Sequence, residues 1–489
     1  MSDKSYLPKN RKTNIPTWIA LIVPLIVYVL VFSYLTILRH NAFVSNFDLA
    51  NMDQTIWNTL NGRFFSLSSP DGTLSRLSVH ADFILILLSP IYLLWSDVRM
   101  LLITQTFFLA GGAIPIYLLA RKVLKRNFTS LAISWLYLLY PGLQWVNFYD
   151  FHPVSLSIPF VLSAFYSSYI KKWGWYFFFA FLAVITKEEI SLVVSMIGVL
   201  QFFLYRERKI GVLSFLVGLL WFPLMVFWVI PNFGPSGQHW AFDVWFKSPK
   251  DQVSQQGLWG WFSLFGVYFS PEALLYYFRL LKSLFFLPLL GFPFLLLSFP
   301  DLSINLLSSF PEMRSTILHY DSGLIPGLFI ALIFGVRKTF ILIEKLVPKL
   351  SLKIVNKEKL LISLFLSLAF FISIRNGPLP ISPFCWCSVY LVGDNEKKFA
   401  NVLAQIPPTA SIAASREIRP HLSQREHAYN LDDVTIAADY LALIDQQRYV
   451  GNFSPRYYEI ELIEKLKNDP NYQLVTRLGH YYLFKKVVY

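Results

Sequence analysis

Charge is what this chain has little of: only 15% of its 489 residues are Asp, Glu, Lys or Arg, against about 25% in soluble proteins. Together with 55% hydrophobic residues and a mean hydropathy of +0.48, that scarcity excludes an ordinary soluble enzyme and points to a polytopic membrane protein. Cysteine is scarcer still. Cys385 and Cys387 are the only two, too few for a disulfide scaffold or a multi-cysteine zinc module, and Cys-Trp-Cys reads as an unremarkable end of a membrane helix. Internal repeats and low-complexity linkers are absent as well. Acidic residues fall short of basic ones, 30 against 43, leaving a net charge of +13. In a soluble chain that excess would suggest nucleic acid. Here it is expected to report membrane orientation, with no nucleic-acid partner.

What the chain has is long apolar runs. Residues 17–38 carry no charge and follow Lys9, Arg11 and Lys12, and a helix needs about 20 apolar residues to cross the hydrocarbon core. The run is too long for a signal peptide and no small-x-small cleavage site follows, so an uncleaved anchor with a cytoplasmic N-terminus is expected. Ten further runs, 98–120, 128–148, 152–170, 173–187, 190–205, 210–231, 274–289, 291–309, 321–336 and 359–375, bring the expectation to about eleven spans. Residues 80–95 form a shorter apolar stretch with Pro90 inside it and His80 and Asp82 at its start. Counting it as a span would put Arg121, Lys122, Lys125 and Arg126 outside, so an interfacial or re-entrant helix is expected. The cytoplasmic segments then hold 20 basic and 4 acidic residues, the outer loops 11 and 14, and residues 394–489 hold 12 of each.

This frame divides the chain into a multi-pass part, 1–392, with a first outer loop at 39–97, and an extracytoplasmic soluble α/β domain, 393–489. For the second part the sequence predicts helix at 396–405, strands at 410–414 and 438–445, helix at 456–468, and a hairpin of 471–477 and 480–487 turning at Gly479.

Most spans are free of mid-membrane charge, and polar residues gather at their outer ends, which places the expected active face outside. In residues 45–63, Leu49, Met52, Ile56 and Leu60 recur at helical spacing before Gly62, predicting an amphipathic helix whose apolar face lies in the membrane surface. Asp53 falls about 40° from Leu49 on that stripe at 100° per residue, where an acid needs a partner. Asp48 sits near the helix start, where it serves the helix dipole or catalysis. Further outer-end residues are His80 and Asp82 in HADF, Asp150 and His152 in YDFHP, Lys187, Glu188 and Glu189 in TKEE, and His319, Tyr320 and Asp321 in LHYD. Each alone is a cap or an interfacial anchor; their convergence on one face raises them to site candidates. Histidine with carboxylate is compatible with a divalent cation, although no HxxxH or HExxH spacing is present. Trp240, Trp245, Trp259 and Trp261 in the loop 232–273 read as membrane-surface anchors, with a sugar platform as the alternative.

A long outer loop after the first span, an acid just beyond it (Asp48), an interfacial helix and a second span ending in LLARKVLKR (118–126) resemble the GT-C superfamily. These are integral membrane glycosyltransferases with polyprenyl-phosphate-linked sugar donors, among them the protein mannosyltransferases and the lipid A aminoarabinose transferases. More closely, FDLANMDQTIW, HADF with PIYLLW, QTFFLAGGAIPIYLLAR, DFHPVSL, TKEEISL, PDLSINLLSS, HYDSGLIP and IAASREIRPHLSQR resemble a bacterial family of predicted membrane proteins, a domain of unknown function related to GT-C enzymes. The resemblance implies a GT-C-like fold in the cytoplasmic membrane. It also implies inverting transfer of a hexosyl or pentosyl group from a polyprenyl-phosphate donor to an envelope glycan, lipid or protein on the outer face. In that superfamily the acid of the first outer loop is the catalytic base or orients the acceptor, and Asp48 matches it by position; for such a transfer Asp48 is expected as the base and Lys187, His319 and Tyr320 at the donor phosphate. Asp53, His80 and Glu188 support the site or orient the acceptor, and Asp150 and His152 are candidate metal ligands. TKEE stands where the aminoarabinose transferases tend to carry Lys-Gly-Pro. A transporter or lipid flippase, or a non-catalytic membrane scaffold, are the rival readings.

Overall fold

The computed structural model describes residues 15–69, 72–235, 237–346, 348–383, 387–431, 438–448 and 453–487. Lys4, Lys9, Arg11, Lys12 and Cys385 lie outside them. Four helices among the described residues are long and apolar enough to cross a membrane: α1 (Ile15–Asn41), Arg99–Leu124, Arg208–Phe233 and Leu324–Leu346. Other expected spans are shorter as helices, including Asn127–Leu139, Trp173–Val184, Ile190–Phe203 and Phe294–Leu307, so helix length alone does not return a count of eleven. Proline explains one of the interruptions. Tyr140 is extended ahead of Pro141 and divides the run 128–148 into Asn127–Leu139 and Pro141–Phe148, because a residue before proline is pushed out of the helical region. Ile84–Leu93 is helical over ten residues, about 15 Å at the helical rise and half of the hydrocarbon thickness.

Helix Arg208–Leu224 shows how the bundle meets lipid. Leu213, Leu216 and Leu220 are exposed on one side, while Gly211 and Gly218 press against Ile190–Phe203 on the other. A Cβ on Gly218 would stand 2.1 Å from the Ser191 carbonyl oxygen, so the backbones approach through small residues, as membrane helices do in the absence of a hydrophobic drive between them.

Beyond the membrane-type helices lies a five-stranded sheet. Ile412–Ala414 pairs in parallel with Ala428–Asn430 and Tyr440–Ile444, and the antiparallel hairpin Tyr472–Leu478/Tyr481–Lys486 completes it. Gly479 has a positive φ of 60° in the hairpin turn, a conformation glycine adopts without penalty. Helices Asp394–Leu403 and Tyr457–Lys467 accompany the sheet; these helices and four of the strands lie within a few residues of their sequence expectation, whereas strand Ala428–Asn430 had none. Phe43, from the first outer loop, is buried in the sheet's apolar core against Phe399, Tyr481 and His421. The last long helix ends at Asn376, so Cys387 lies well beyond a helix end; Cys385 and Trp386 of the Cys-Trp-Cys segment lie outside the described residues.

Candidate functional site

The helix predicted at 45–63 is α2 (Phe47–Leu60), ended by Asn61 and a positive-φ Gly62. Leu49, Met52 and Ile56 are buried and Leu60 is exposed. The apolar stripe does not lie in a membrane surface; it packs against the segment 84–93 and residues 419–421 of the C-terminal part. The start of α2 is fixed from outside. Arg39, buried near the end of α1, forms an ion pair with the buried carboxylate of Asp150, whose other oxygen accepts the Asn46 N–H at 2.9 Å. Asn46 is the N-cap residue, and Asp48 follows in the first turn, where the helix dipole favours a negative charge.

Asp48 faces a cavity of about 620 Å³ together with Arg76, His80, His152, Lys187, His319 and Tyr320. Its side chain keeps 28% of its surface open, and Nε2 of His152 stands 3.8 Å away. His152 and His319 stack with ring centroids 3.6 Å apart. Among the described residues, no group hydrogen-bonds either ring nitrogen of His152 or the Nδ1 of His319, and buried polar atoms without a protein partner are uncommon. Lys187 Nζ meets Glu189 at 2.8 Å. Trp240 and Trp245 form part of the wall, the indole N–H of Trp240 donating to the Val79 carbonyl at 3.0 Å. These two rings line the cavity and are not spread on a membrane surface; the side chains of Trp259 and Trp261 lie outside the described set. Arg416, at the end of strand Ile412–Ala414, completes the wall with its guanidinium 5.6 Å from the Phe47 ring centroid.

A second cavity, about 480 Å³, shares His80, Lys187, Trp245, His319 and Tyr320 with the first and is otherwise mainly apolar, with Phe222, Val226, Phe227, Phe242 and Leu307. Val226 and Phe227 belong to a π-helical turn, Met225–Val229, a local widening common at functional sites.

Electrostatics separate the groups. Burial pushes the Asp48 carboxyl up, but the imidazole of His152 beside it, then Arg76 and His80, outweigh it and hold Asp48 below the usual carboxylate range. It is ionised at neutral pH. Burial drives His319 well below the ordinary imidazole range, with His152 and Lys187 adding to the shift, so this ring is neutral.

Of the sequence candidates, Asp48, His80, His152, Lys187, His319 and Tyr320 share one cavity. Glu188 borders the second, accepting from His80 Nδ1 at 2.8 Å and from the Ala81 N–H at 3.0 Å. Asp150 is not available to pair with His152 as a metal ligand, since Arg39 and Asn46 take both of its oxygens. Asp53 sits apart from the Asp48 cavity. It is fully buried, accepting from Tyr92, from Ser423 at 2.6 Å and from Gln424 at 3.0 Å, and so ties α2 to the C-terminal part. Sequence reasoning missed Arg39, Arg76, His239 and Arg416. Only Arg416 lay inside a quoted motif; nothing local marks the others.

Burial raises Asp53 to about 6 despite its three donors. A carboxyl raised above its unfolded value favours the fold below that value and loses the contribution as pH climbs through the folded one, here from about 4 to about 6. The shift is worth about 3 kcal/mol at most. Asp53→Asn therefore raises the thermal midpoint at pH 7.5 and leaves it unchanged at pH 4; an equal effect at both would remove the burial argument.

Residues 39–479 match the family described as "Predicted membrane protein (DUF2079)". The chain belongs to that family. Among solved structures, this DUF2079 protein is similar to ArnT from Cupriavidus metallidurans bound to undecaprenyl phosphate, with a TM-score of 0.53 and 12% identity over 97% of this chain and 99% of that one. At that identity the likeness establishes the fold, and the DUF2079 chain shares the ArnT architecture. No curated protein sequence matches it.

Proposed function

We propose that the protein is a GT-C-type inverting glycosyltransferase that moves a sugar from a polyprenyl-phosphate donor to an envelope acceptor. The transfer takes place on the outer face of the cytoplasmic membrane, with the N-terminus inside and the C-terminal sheet outside. One observation carries the reading: the polar cavity holding Asp48 adjoins a mainly apolar cavity across His80, Lys187, His319 and Tyr320. A ligand with an anionic head and a hydrocarbon tail matches that junction. The lipid-bound ArnT structure supports the same class of ligand.

In this mechanism the acceptor hydroxyl attacks the anomeric carbon as the Asp48 carboxylate takes its proton. The bond from that carbon to the phosphate oxygen breaks, and its electron pair leaves with the polyprenyl phosphate, inverting the anomeric centre. Lys187, with His319 and Tyr320, stabilises the charge developing on the phosphate. Glu189 holds the lysine head in place. Glycan, lipid and protein acceptors all offer the hydroxyl this step requires.

Purified protein in liposomes with a labelled polyprenyl-phosphate sugar should release polyprenyl phosphate in an acceptor-dependent manner. Absence of release across a panel of envelope acceptors, with labelled lipid appearing in the opposite leaflet, would establish a flippase instead. Lys187→Ala should raise KM for the donor about 10- to 100-fold, the worth of a charged hydrogen bond. An unchanged donor KM would remove Lys187 from phosphate binding.

A further inference from the structure

His80, Glu188 and His239 lie far apart in sequence and come from three separate loops. Their ligand atoms all fall within 4.8 Å of one another. Nδ1 of His80 is 2.8 Å from Glu188 Oε1, and Nε2 of His239 is 3.6 Å from the same oxygen. Zinc bonds of about 2.0–2.1 Å set tetrahedral ligands about 3.3 Å apart, between these two values. We propose that these three side chains form a zinc site.

The donor set decides the cation. Two imidazoles and one carboxylate suit a borderline-soft ion, whereas Mg²⁺ and Ca²⁺ prefer all-oxygen shells. The surroundings already orient the ligands, because the second Glu188 oxygen accepts the Ala81 N–H at 3.0 Å and a fixed outer shell is what sharpens metal affinity. His239 now accepts the Ala241 N–H at Nδ1, 3.1 Å, which leaves its proton on Nε2 towards Glu188. Coordination through Nε2 moves that proton to Nδ1 and gives up the Ala241 contact. His80 makes the matching change from Nδ1 to Nε2, so neither neutral ring has to lose a net proton.

Three protein ligands leave a fourth position for water or an oxygen of a bound group. The consequence for the fold is a clamp. Trp240, next to His239, is already bonded to Val79, next to His80, and zinc would lock this loop against both the first outer loop and the 186–189 segment. His80 borders both cavities and His239 borders the apolar one, so the clamp holds the wall between them.

The test uses the full chain, purified in detergent through a tag without histidine, and does not depend on the transferase reading. Mass spectrometry should find about one zinc per chain, lost in His80→Ala/His239→Ala protein that still elutes as a folded species. Chelator-stripped wild type titrated with ZnCl₂ should gain thermal stability and protease protection in residues 237–246. His239→Ala should weaken zinc binding by more than about 100-fold, since outer-shell losses alone cost about 10–100-fold. Zinc-free wild type without a zinc-dependent shift, undiminished zinc in the double variant, or an equal response to MgCl₂ would each overturn the proposal. If the variants aggregate, the wild-type zinc and magnesium titrations decide.

Discussion

Asp48→Asn protein should insert, fold and bind donor lipid while transferring sugar about 10²- to 10⁴-fold more slowly, the usual contribution of a positioned general base. The amide is isosteric and can occupy the same first-turn position of α2, but it cannot take the acceptor's proton. Loss of the charge at the helix N-terminus costs about 0.3–1 kcal/mol, too little to unfold the chain. The pH profile gives an independent check. Because His152, Arg76 and His80 hold Asp48 below the ordinary carboxylate range, the base stays ionised through mildly acid pH. The wild-type kcat should therefore show no Asp48 titration above about pH 4, the ordinary value for aspartate. Wild-type turnover in the Asn variant would assign the base elsewhere.

The second large effect is structural. Asp150→Ala leaves Arg39 buried without its carboxylate, and breaking a buried pair from one side costs about 3–5 kcal/mol. It also releases the Asn46 N–H that fixes the start of α2, so kcat should fall along with the thermal midpoint. Removing both charges, as in Arg39→Leu/Asp150→Leu, should recover a substantial part of the stability, because no lone charge then remains in the interior. It should not recover kcat, since Asn46 still lacks its acceptor. A double variant as unstable as the single one would show that the pair does not act as a unit.

Local pattern made much of the architecture legible. Apolar spacing located α2 to within a few residues, and the turn at Gly479 located the last hairpin. The same 100° arithmetic placed Asp53 on a buried face before any partner was known. What covers that face was misread, because a stripe of Leu, Met and Ile has the same period under lipid as under protein. Two of the three partners of Asp53 are some 370 residues downstream, Ser423 and Gln424, and no periodicity carries that information.

The candidate site divides the same way. Outer-end position gathered Asp48, His80, His152, Lys187 and His319, since charge and histidine are too costly to leave in hydrocarbon and collect where water reaches. Their allocation was tertiary. Asp48 and Asp150 are both outer-end acids by sequence, yet Arg39 claims Asp150 and the cavity receives Asp48. His239 carried no local signal and meets Glu188 only because loops distant in sequence converge. By itself, then, the sequence determined a membrane protein, its helical segments and the polar residues available to a site, because burial cost and helix period are properties of short stretches of chain. Which acid stays open to the cavity, which is spent on an ion pair and which fastens the C-terminal part was decided by tertiary structure, because each choice depends on a partner brought close only by folding.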